Sequence, residues 1–281
     1  MKIYFVFSPA YSQILRTEQV KVLVNYATLK NRSCAIPIPR GFGEVIIDSG
    51  GYQLQVGVKT PRQAKVENYC FWLETEILNH YPEVAGYMNL DILDLEVTKY
   101  PLNSAEHQEM LKLSAERTLD NQITMESAGL KPIPVWHAGE PEEYLDFYCS
   151  GYSYVSIGGM ASMGTIGKQS LVDLCQFLFQ KHPNTKFHLF GIGLSGIMAF
   201  KRLRPYSVDF STWSVPARYG HDVVYDDKRI LKEIKLPEEI RNRLRTDKPM
   251  LLDVLRGTVK RIKYLEDTID SYHDPYQKLL L

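Results

Sequence analysis

Two aspartates stand where short β-type runs end. Asp48 closes EVIID (44–48) and is followed by Ser49-Gly50-Gly51-Tyr52-Gln53. Asp209 lies inside Ser207-Val208-Asp209-Phe210-Ser211-Thr212-Trp213. A strand that ends in a carboxylate and then turns on two glycines lets its backbone approach a ligand closely. Beyond that turn, Tyr52 offers a ring face and Gln53 an amide. A carboxylate within a strand-like run is unfavourable unless it is paired or faces a polar pocket. Each aspartate also has a plain structural role open to it. Asp48 could cap a strand-to-helix turn, and Asp209 could be a buried hydrogen-bond acceptor. Facing each other across one pocket, they suit retaining glycoside-type chemistry. One carboxylate attacks the sugar carbon while the other shuttles protons.

Further candidates fall at similar places. Asp91 ends VAGYMNLD (84–91), and His137 ends the strand of IPVWHAG (133–139). His137 could donate to a substrate carbonyl or phosphate, or be a satisfied structural histidine. Gly158-Gly159-Met160-Ala161 and Phe190-Gly191-Ile192-Gly193 are strand-end glycine turns that could present bare backbone groups to a flat ligand. GIGLSG (191–196) formally matches GxGxxG, but it sits late in the chain. No acid ends the next strand except Asp209, so a dinucleotide site is weakly supported. The seven histidines include no HxH or HExxH pair, so no hydrolytic zinc centre is expected. GxSxG and GxxxxGK[ST] are also absent from the sequence, which removes serine-hydrolase and P-loop readings.

These residues need a frame that brings strand ends together. Seven β-rich runs are visible: KIYFVF, EVIID, VAGYMNLD, IPVWHAG, YVSIGG (154–159), FHLFGIG (187–193) and SVDFSTW. Helical patterns alternate with them. Val66, Cys70, Leu73 and Ile77 share one face, a polar helix spans roughly 105–127, and EPEEYLDFY, SLVDLCQFLFQK and SGIMAFKRL follow. Parallel strands require crossovers, so repeated βα units predict an α/β fold with a parallel sheet. The repeat count favours a (β/α)8 TIM-type barrel, whose site lies at the C-terminal ends of its strands. Asp48, Asp91, His137, Gly158, Gly159, Gly191 and Asp209 all fall at such ends.

Lys and Arg together number 33, as do Asp and Glu, which excludes a uniformly basic nucleic-acid coat but leaves room for a local patch. Residues 228–263 hold twelve Lys/Arg against five Asp/Glu. Leu252, Leu255, Val259, Ile262 and Ile269 recur at helical spacing there, predicting an amphipathic helix over 250–271 packed on the barrel. Its basic face is either solvated surface or a phosphate-tracking surface. The expected division is therefore a catalytic barrel over 1–225 and a basic helical extension over 226–281. Cys34, Cys70, Cys149 and Cys175 form no CxxC pair, so neither a zinc subdomain nor a dense disulfide framework is expected, and a reducing intracellular compartment is the simplest reading. The opening MKIYFVFSPAYSQ lacks the longer apolar run of a signal peptide, and no stretch of 18 apolar residues follows, so no membrane partner is expected.

The ordered set DSGGYQ (48–53), SIGGMA (156–161), LFGIG (189–193) and SVDFSTW (207–213) resembles the tRNA-guanine transglycosylase superfamily over roughly residues 44–215. The SVDFSTW ending is most similar to the DNA-guanine transglycosylases of bacterial genomic islands and phages. Those enzymes exchange guanine in DNA for a 7-deazaguanine. The resemblance implies Asp48 as general acid/base and Asp209 as the nucleophile that holds the sugar. Ser49 and Gln53 would lie at the base, and Tyr52 and Phe190 would sandwich it. Asp91 would read its N1–H and exocyclic amine. His137, Gly158, Gly159, Met160 and Gly191 complete the implied base pocket. Lys201, Arg202, Arg204, Arg241, Arg243, Arg245, Lys260 and Arg261 would contact phosphates. The implied partners are guanine-containing DNA, the free deazaguanine base and possible accessory proteins that open the duplex, in the cytoplasm of a bacterial or phage-infected cell. No cofactor or metal is implied. Two departures narrow the reading. No cysteine follows Cys175, whereas the tRNA enzymes carry a zinc site of three cysteines and a histidine near the C-terminus. Gly164 stands where tRNA enzymes that take an aminomethyl base place a glutamate, so a neutral 7-cyano base, preQ0, fits better. A tRNA-guanine transglycosylase and a non-catalytic nucleic-acid-binding accessory subunit are the alternatives.

Overall fold

The computed structural model describes residues 1–26, 40–51, 65–81, 83–93, 97, 99–101, 104–159, 168–193, 196, 205–226 and 230–268. Eight strands form one sheet: β1 (Lys2–Val6), β2 (Lys21–Asn25), β3 (Glu44–Asp48), β4 (Val84–Tyr87), β5 (Val135–His137), β6 (Tyr154–Gly158), β7 (Lys186–Leu189) and β8 (Ser207–Phe210). Their order is β4-β3-β2-β1-β8-β7-β6-β5, and every neighbouring pair is parallel. The two edges of this order meet. Met88, just past β4, bridges Ile133, just before β5, in parallel register. Ile133 N donates to Tyr87 O at 2.8 Å and Asn89 N donates to Ile133 O at 2.9 Å. The result is a TIM-barrel-like α/β fold.

Side-chain alternation sorts the strands into an inner and an outer set. Tyr4, Leu23, Ile46, Met88 and Val135 pack on one another as a compact inner cluster, with Val6, Ile133 and Phe190 beside them. The opposite parity, including Ile3, Phe5, Val22, Val24, Val45 and Ile47, joins the larger core shared with the helices. Strand β2, KVLVN, is absent from the seven runs read in the sequence. Val20, Val22, Leu23, Val24 and Asn25 are all buried, so neither face shows the polar alternation that marks a half-exposed strand.

Four of the five expected helices between strands are present among the described residues. After β1 comes α1 (Ser12–Thr17). Helix α2 (Val66–Trp72) runs on as a π-turn over Leu73–Leu78 and buries Val66, Tyr69, Cys70, Leu73 and Ile77. Helix α3 (Ala105–Ser127) starts at Ser104, whose side chain accepts from His107 N. Helices α4 (Glu142–Gly151) and α5 (Lys168–Lys181) flank β6 in sequence, and the short α6 (Val215–Arg218) follows β8. Most of SGIMAFKRL lies outside the described residues.

The C-terminal part differs from the expected helical extension. It opens with an antiparallel hairpin, β9 (His221–Tyr225) and β10 (Leu231–Lys235), so the division expected at 225/226 falls between two paired strands. Helices α7 (Glu238–Leu244) and α8 (Lys248–Thr268) follow. Helix α8 buries Leu255, Val259, Ile262 and Leu265 in the barrel's outer core. Its far end is tied to the start of β1 and β2: Glu266 accepts from Ile3 N at 3.2 Å and pairs with Lys21 Nζ at 2.6 Å. As expected for 250–271, this helix packs on the barrel and forms part of its outer wall. Burying four aliphatic side chains contributes about 6–12 kcal/mol as an upper figure. That is comparable to the whole net stability of a domain. A chain ending at Tyr225 is therefore expected to lose cooperative thermal unfolding by circular dichroism. A sharp, intact melting transition in that truncated chain would contradict the wall assignment.

Candidate active site

Asp48 is the last residue of β3, and its register partner on β2 is Asn25. Adjacency on the same face brings Asn25 Nδ2 to Asp48 Oδ2 at 2.7 Å. The chain then turns at Gly50, whose φ of 76° lies in the left-handed region. Ser49, fully buried, donates to Asp91 Oδ1 at 2.6 Å, and Gly51 N donates to Ser49 Oγ at 3.2 Å. Gly51 has no room for a side chain. A Cβ there would lie 2.5 Å from the backbone oxygen of Asp91. The DSGG turn is thus packed directly onto the strand end that carries Asp91.

On the other side of Asp91, His137 Nε2 lies 3.1 Å from Oδ2. His137 Nδ1 is 2.7 Å from Glu140 Oε1, while the second oxygen of Glu140 accepts from His137 N at 2.9 Å. His137 and Glu140 are buried, and Asp91 keeps partial exposure. Of the two roles open to His137, substrate donor or satisfied structural histidine, the geometry shows the second: both ring nitrogens lie within hydrogen-bond distance of protein carboxylates. Gly158, its register partner on β6, makes room for the ring, since a Cβ there would meet His137 Cδ2 at 2.8 Å. Gly159, with φ of 78°, lies against the same side chain. These glycines therefore serve the histidine, whatever else they contact.

Asp209 is 4% exposed and stands in register with Tyr4. Gly191, at φ of 67°, donates its N–H to Asp209 Oδ1 at 2.7 Å. Among the described residues, Oδ2 of Asp209 receives no hydrogen bond. His188 lies beneath. Its Nδ1 is 2.8 Å from Ser207 Oγ, and its Nε2 is 3.6 Å from Asp209 Oδ1 with no hydrogen-bond partner. Phe190 is half-buried and sets its ring edge-on to His188, centroids 4.8 Å apart. Tyr52, Gln53 and Met160 lie outside the described residues.

The electrostatics divide the carboxylates. Burial, the negative charge of Asp91 and that of Asp209 push Asp48 up to about 7, against the hydrogen bonds from Gly50 and Asn25. Burial also works against ionised Asp91, but the hydrogen bond and charge of His137, with the Ser49 hydroxyl, hold it below the usual carboxylate range. Burial opposes charge on His137 too, and there Glu140 and Asp91 prevail, raising it to about 10. Of two neighbouring acids, one can exchange a proton near neutrality and the other stays ionised.

The structure brings Asp48, Ser49, Asp91, His137, Gly158, Gly159, Phe190, Gly191 and Asp209 to the C-terminal end of the sheet. Asn25, Glu140 and His188 were missed in the sequence. Glu140 stands three residues past His137, and His188 two before Phe190 on the same strand face. Those spacings are the only signals the sequence offered. Among the described residues, no group of three His, Cys, Asp or Glu is placed to hold a metal ion. No helix among them is long and apolar enough to cross a membrane.

The expected phosphate contacts fare unevenly. Arg261 is committed to the hairpin, with Nη1 2.9 Å and Nη2 3.2 Å from the Asp222 carboxylate and Nη1 2.7 Å from Val223 O. Arg241 donates to Leu236 O at 3.1 Å, and its stem covers Gly220. Lys260 is exposed, but its ammonium lies 3.8 Å from Glu18, on the turn that enters β2 at the opposite end of the barrel from Asp48. Arg243 and Arg245 face solvent, with Arg243 3.4 Å from Asp247. Lys201, Arg202 and Arg204 lie outside the described residues.

No protein-family model matches the chain, and no curated protein matches it either.

A carboxyl raised to about 7 in the fold, from an ordinary value near 3.8 in the unfolded chain, lowers stability at high pH. The penalty is fully present above pH 7 and disappears as pH falls toward 4. Asp48→Asn is therefore expected to raise the free energy of urea unfolding at pH 8 by on the order of 2 kcal/mol, and to give little difference at pH 4.5. An Asp48→Asn protein that is no more stable at pH 8 than at pH 4.5, relative to the parent, would refute the burial of an ionisable Asp48.

Proposed function

We propose that this chain is a base-exchange transglycosylase that replaces guanine in DNA with a 7-deazaguanine, preQ0 in the first instance, through a covalent aspartyl-sugar intermediate. The observation that carries the proposal is the pairing of two unlike carboxyls at one barrel mouth. Burial and the charges of Asp91 and Asp209 push Asp48 up to about 7, and the buried Asp209 is held through one oxygen by Gly191 N.

In the first half-reaction Asp209 attacks C1′ of the flipped-out nucleotide. The bond to guanine N9 breaks as Asp48, in its acid form, supplies a proton to the departing base. Free deazaguanine then enters the vacated place. Asp48, now a carboxylate, takes its N9 proton as that nitrogen attacks C1′ and expels Asp209. Two inversions give net retention. A group that must act as acid and then as base works best with a pKa near the ambient pH, which is where Asp48 lies. Asp91, ionised and fixed by Ser49 and His137, is an acceptor suited to the N1–H and exocyclic amine of a guanine-like edge. Phe190 offers a ring at the same mouth. Because one glycosidic bond replaces a similar one, the exchange needs no external energy source.

A duplex substrate must be unstacked at the target, which costs a few kcal/mol. Phosphate contacts that offset this cost are assigned to Arg243 and Arg245, the exposed members of the C-terminal basic set apart from Lys260. Arg261 and Arg241 are removed from that role by their internal bonds. DNA is preferred over tRNA because the sequence lacks the cysteine cluster of the tRNA enzymes.

Incubation with preQ0 and guanine-containing DNA, with tRNA in parallel, followed by nucleoside mass spectrometry, tests the reading. Incorporation into DNA alone is expected. Asp209→Ala should abolish it, and Asp48→Asn should slow it by about 10²–10⁴-fold. Incorporation into tRNA alone would move the chain to the alternative substrate. Exchange that persists in Asp209→Ala would eliminate the nucleophile assignment.

A further inference from the structure

Glu140 takes no part in the steps above, yet among the described residues it is one of the most buried acids, 3% exposed. It sits behind His137, away from the mouth. One oxygen faces His137 Nδ1 at 2.7 Å and the other accepts from His137 N at 2.9 Å, so the carboxylate is clamped to the end of β5. The far nitrogen of the same ring faces Asp91 at 3.1 Å. An ionised carboxylate only accepts hydrogen bonds, and a neutral imidazole has one N–H and one lone pair. Between two carboxylates, a neutral ring would turn its lone pair toward negative oxygen. The ring is satisfied on both sides only when both nitrogens carry protons.

We propose that Glu140 is a positioning residue of this mouth: through His137 it fixes Asp91 as the ionised member of the carboxylate set and leaves the exchangeable proton to Asp48. The assignment stands on the geometry of four groups in a line. Ser49 Oγ, itself held by Gly51 N, donates to the Asp91 oxygen that His137 does not reach. Asp91 therefore has one donor on each oxygen, and one of them is cationic. Among the described residues the donors to Asp48 are neutral, Asn25 and Gly50 N, and it faces Asp91 and Asp209. Tyr69, which also faces Asp48 and Asp91, is held neutral by burial and by those charges. Neighbouring acids in a desolvated mouth cannot all ionise freely, and of Asp48 and Asp91 the one without a cationic donor keeps the proton. The high pKa of His137, about 10, agrees with this order.

The kinetic part of this proposal rests on the transglycosylase reading; the protonation part does not. Ring nitrogen NMR of the full chain at pH 8, with His137 assigned by its loss in His137→Gln, reads the protonation directly. Both nitrogens of His137 should be protonated in the parent, and a neutral ring there would overturn the proposal without any variant. In Glu140→Gln the ring should be neutral at pH 8, and the Asp48 carboxyl should titrate at higher pH than in the parent. Exchange should slow about tenfold, with its pH profile displaced the same way. A protonated ring and an unmoved Asp48 titration in Glu140→Gln would also overturn it. If the parent exchanges no base at all, the transglycosylase reading fails, while the ring and carboxyl spectra still decide the role of Glu140.

Discussion

Three carboxyl groups, Asp48, Asp91 and Asp209, meet at one end of a closed sheet, and most of what surrounds them exists to make that tolerable. Ionised carboxylates in a desolvated site repel each other and lose hydration. The chain answers with a different device for each. Asp91 receives a protonated histidine and a serine hydroxyl. Asp209 receives a backbone N–H from Gly191. Asp48 receives an asparagine and a backbone N–H, and is left to carry the proton. Because the three answers are unequal, the three acids are chemically distinct although they are the same residue type.

Each device depends on a backbone that only glycine supplies, and on the barrel closing. Gly51 lets the DSGG turn lie on the backbone of Asp91. Gly158 leaves room for the imidazole of His137, and Gly191 takes the left-handed conformation that aims its N–H at Asp209. Asp48 on β3 and His137 on β5 both reach Asp91 because β4 joins the ring on both sides, through the ladder to β3 and through the Met88–Ile133 bridge to β5. An open sheet would leave β4 and β5 at opposite edges and separate His137 from Asp91.

How far this was legible in the sequence follows from where each signal lies. Strand ends marked by Asp, His or Gly were readable, because chemistry-bearing residues next to glycine interrupt an apolar run. Strand β2 was not, since burial on both faces erases its period. Asn25 went with it: its importance comes from being the register partner of Asp48, and register is not written in local sequence. Glu140 is the first residue of the helical pattern EPEEYLDFY, and nothing local marks its partner. Only the fold shows that it turns back onto His137. The basic segment left two readings open, a solvated face or a phosphate surface, and the fold divides its members: Arg261 and Arg241 are bound inside the C-terminal hairpin and its following turn, while Arg243 and Arg245 face solvent. Charge counts register composition, and ion pairing depends on placement.

The two ends of the barrel make the same contrast in one molecule. At the N-terminal end the acids meet lysines. Glu44 is paired with Lys2 at 2.8 Å and accepts from Tyr4 OH, and Glu266 is paired with Lys21 at 2.6 Å. Burial of Glu44 is outweighed there by the bonds from Lys2 and Tyr4, and its carboxyl lies below the ordinary range. An acid held that way has no proton to exchange near neutrality. At the C-terminal end no lysine or arginine among the described residues reaches Asp48 or Asp209, and the one cation, His137, is spent on Asp91. Reactivity at that end is therefore a matter of what is withheld. Had a lysine stood where Asn25 stands, Asp48 would be a stable ion pair like Glu44, and the mouth would keep its shape while losing the group that can change its charge.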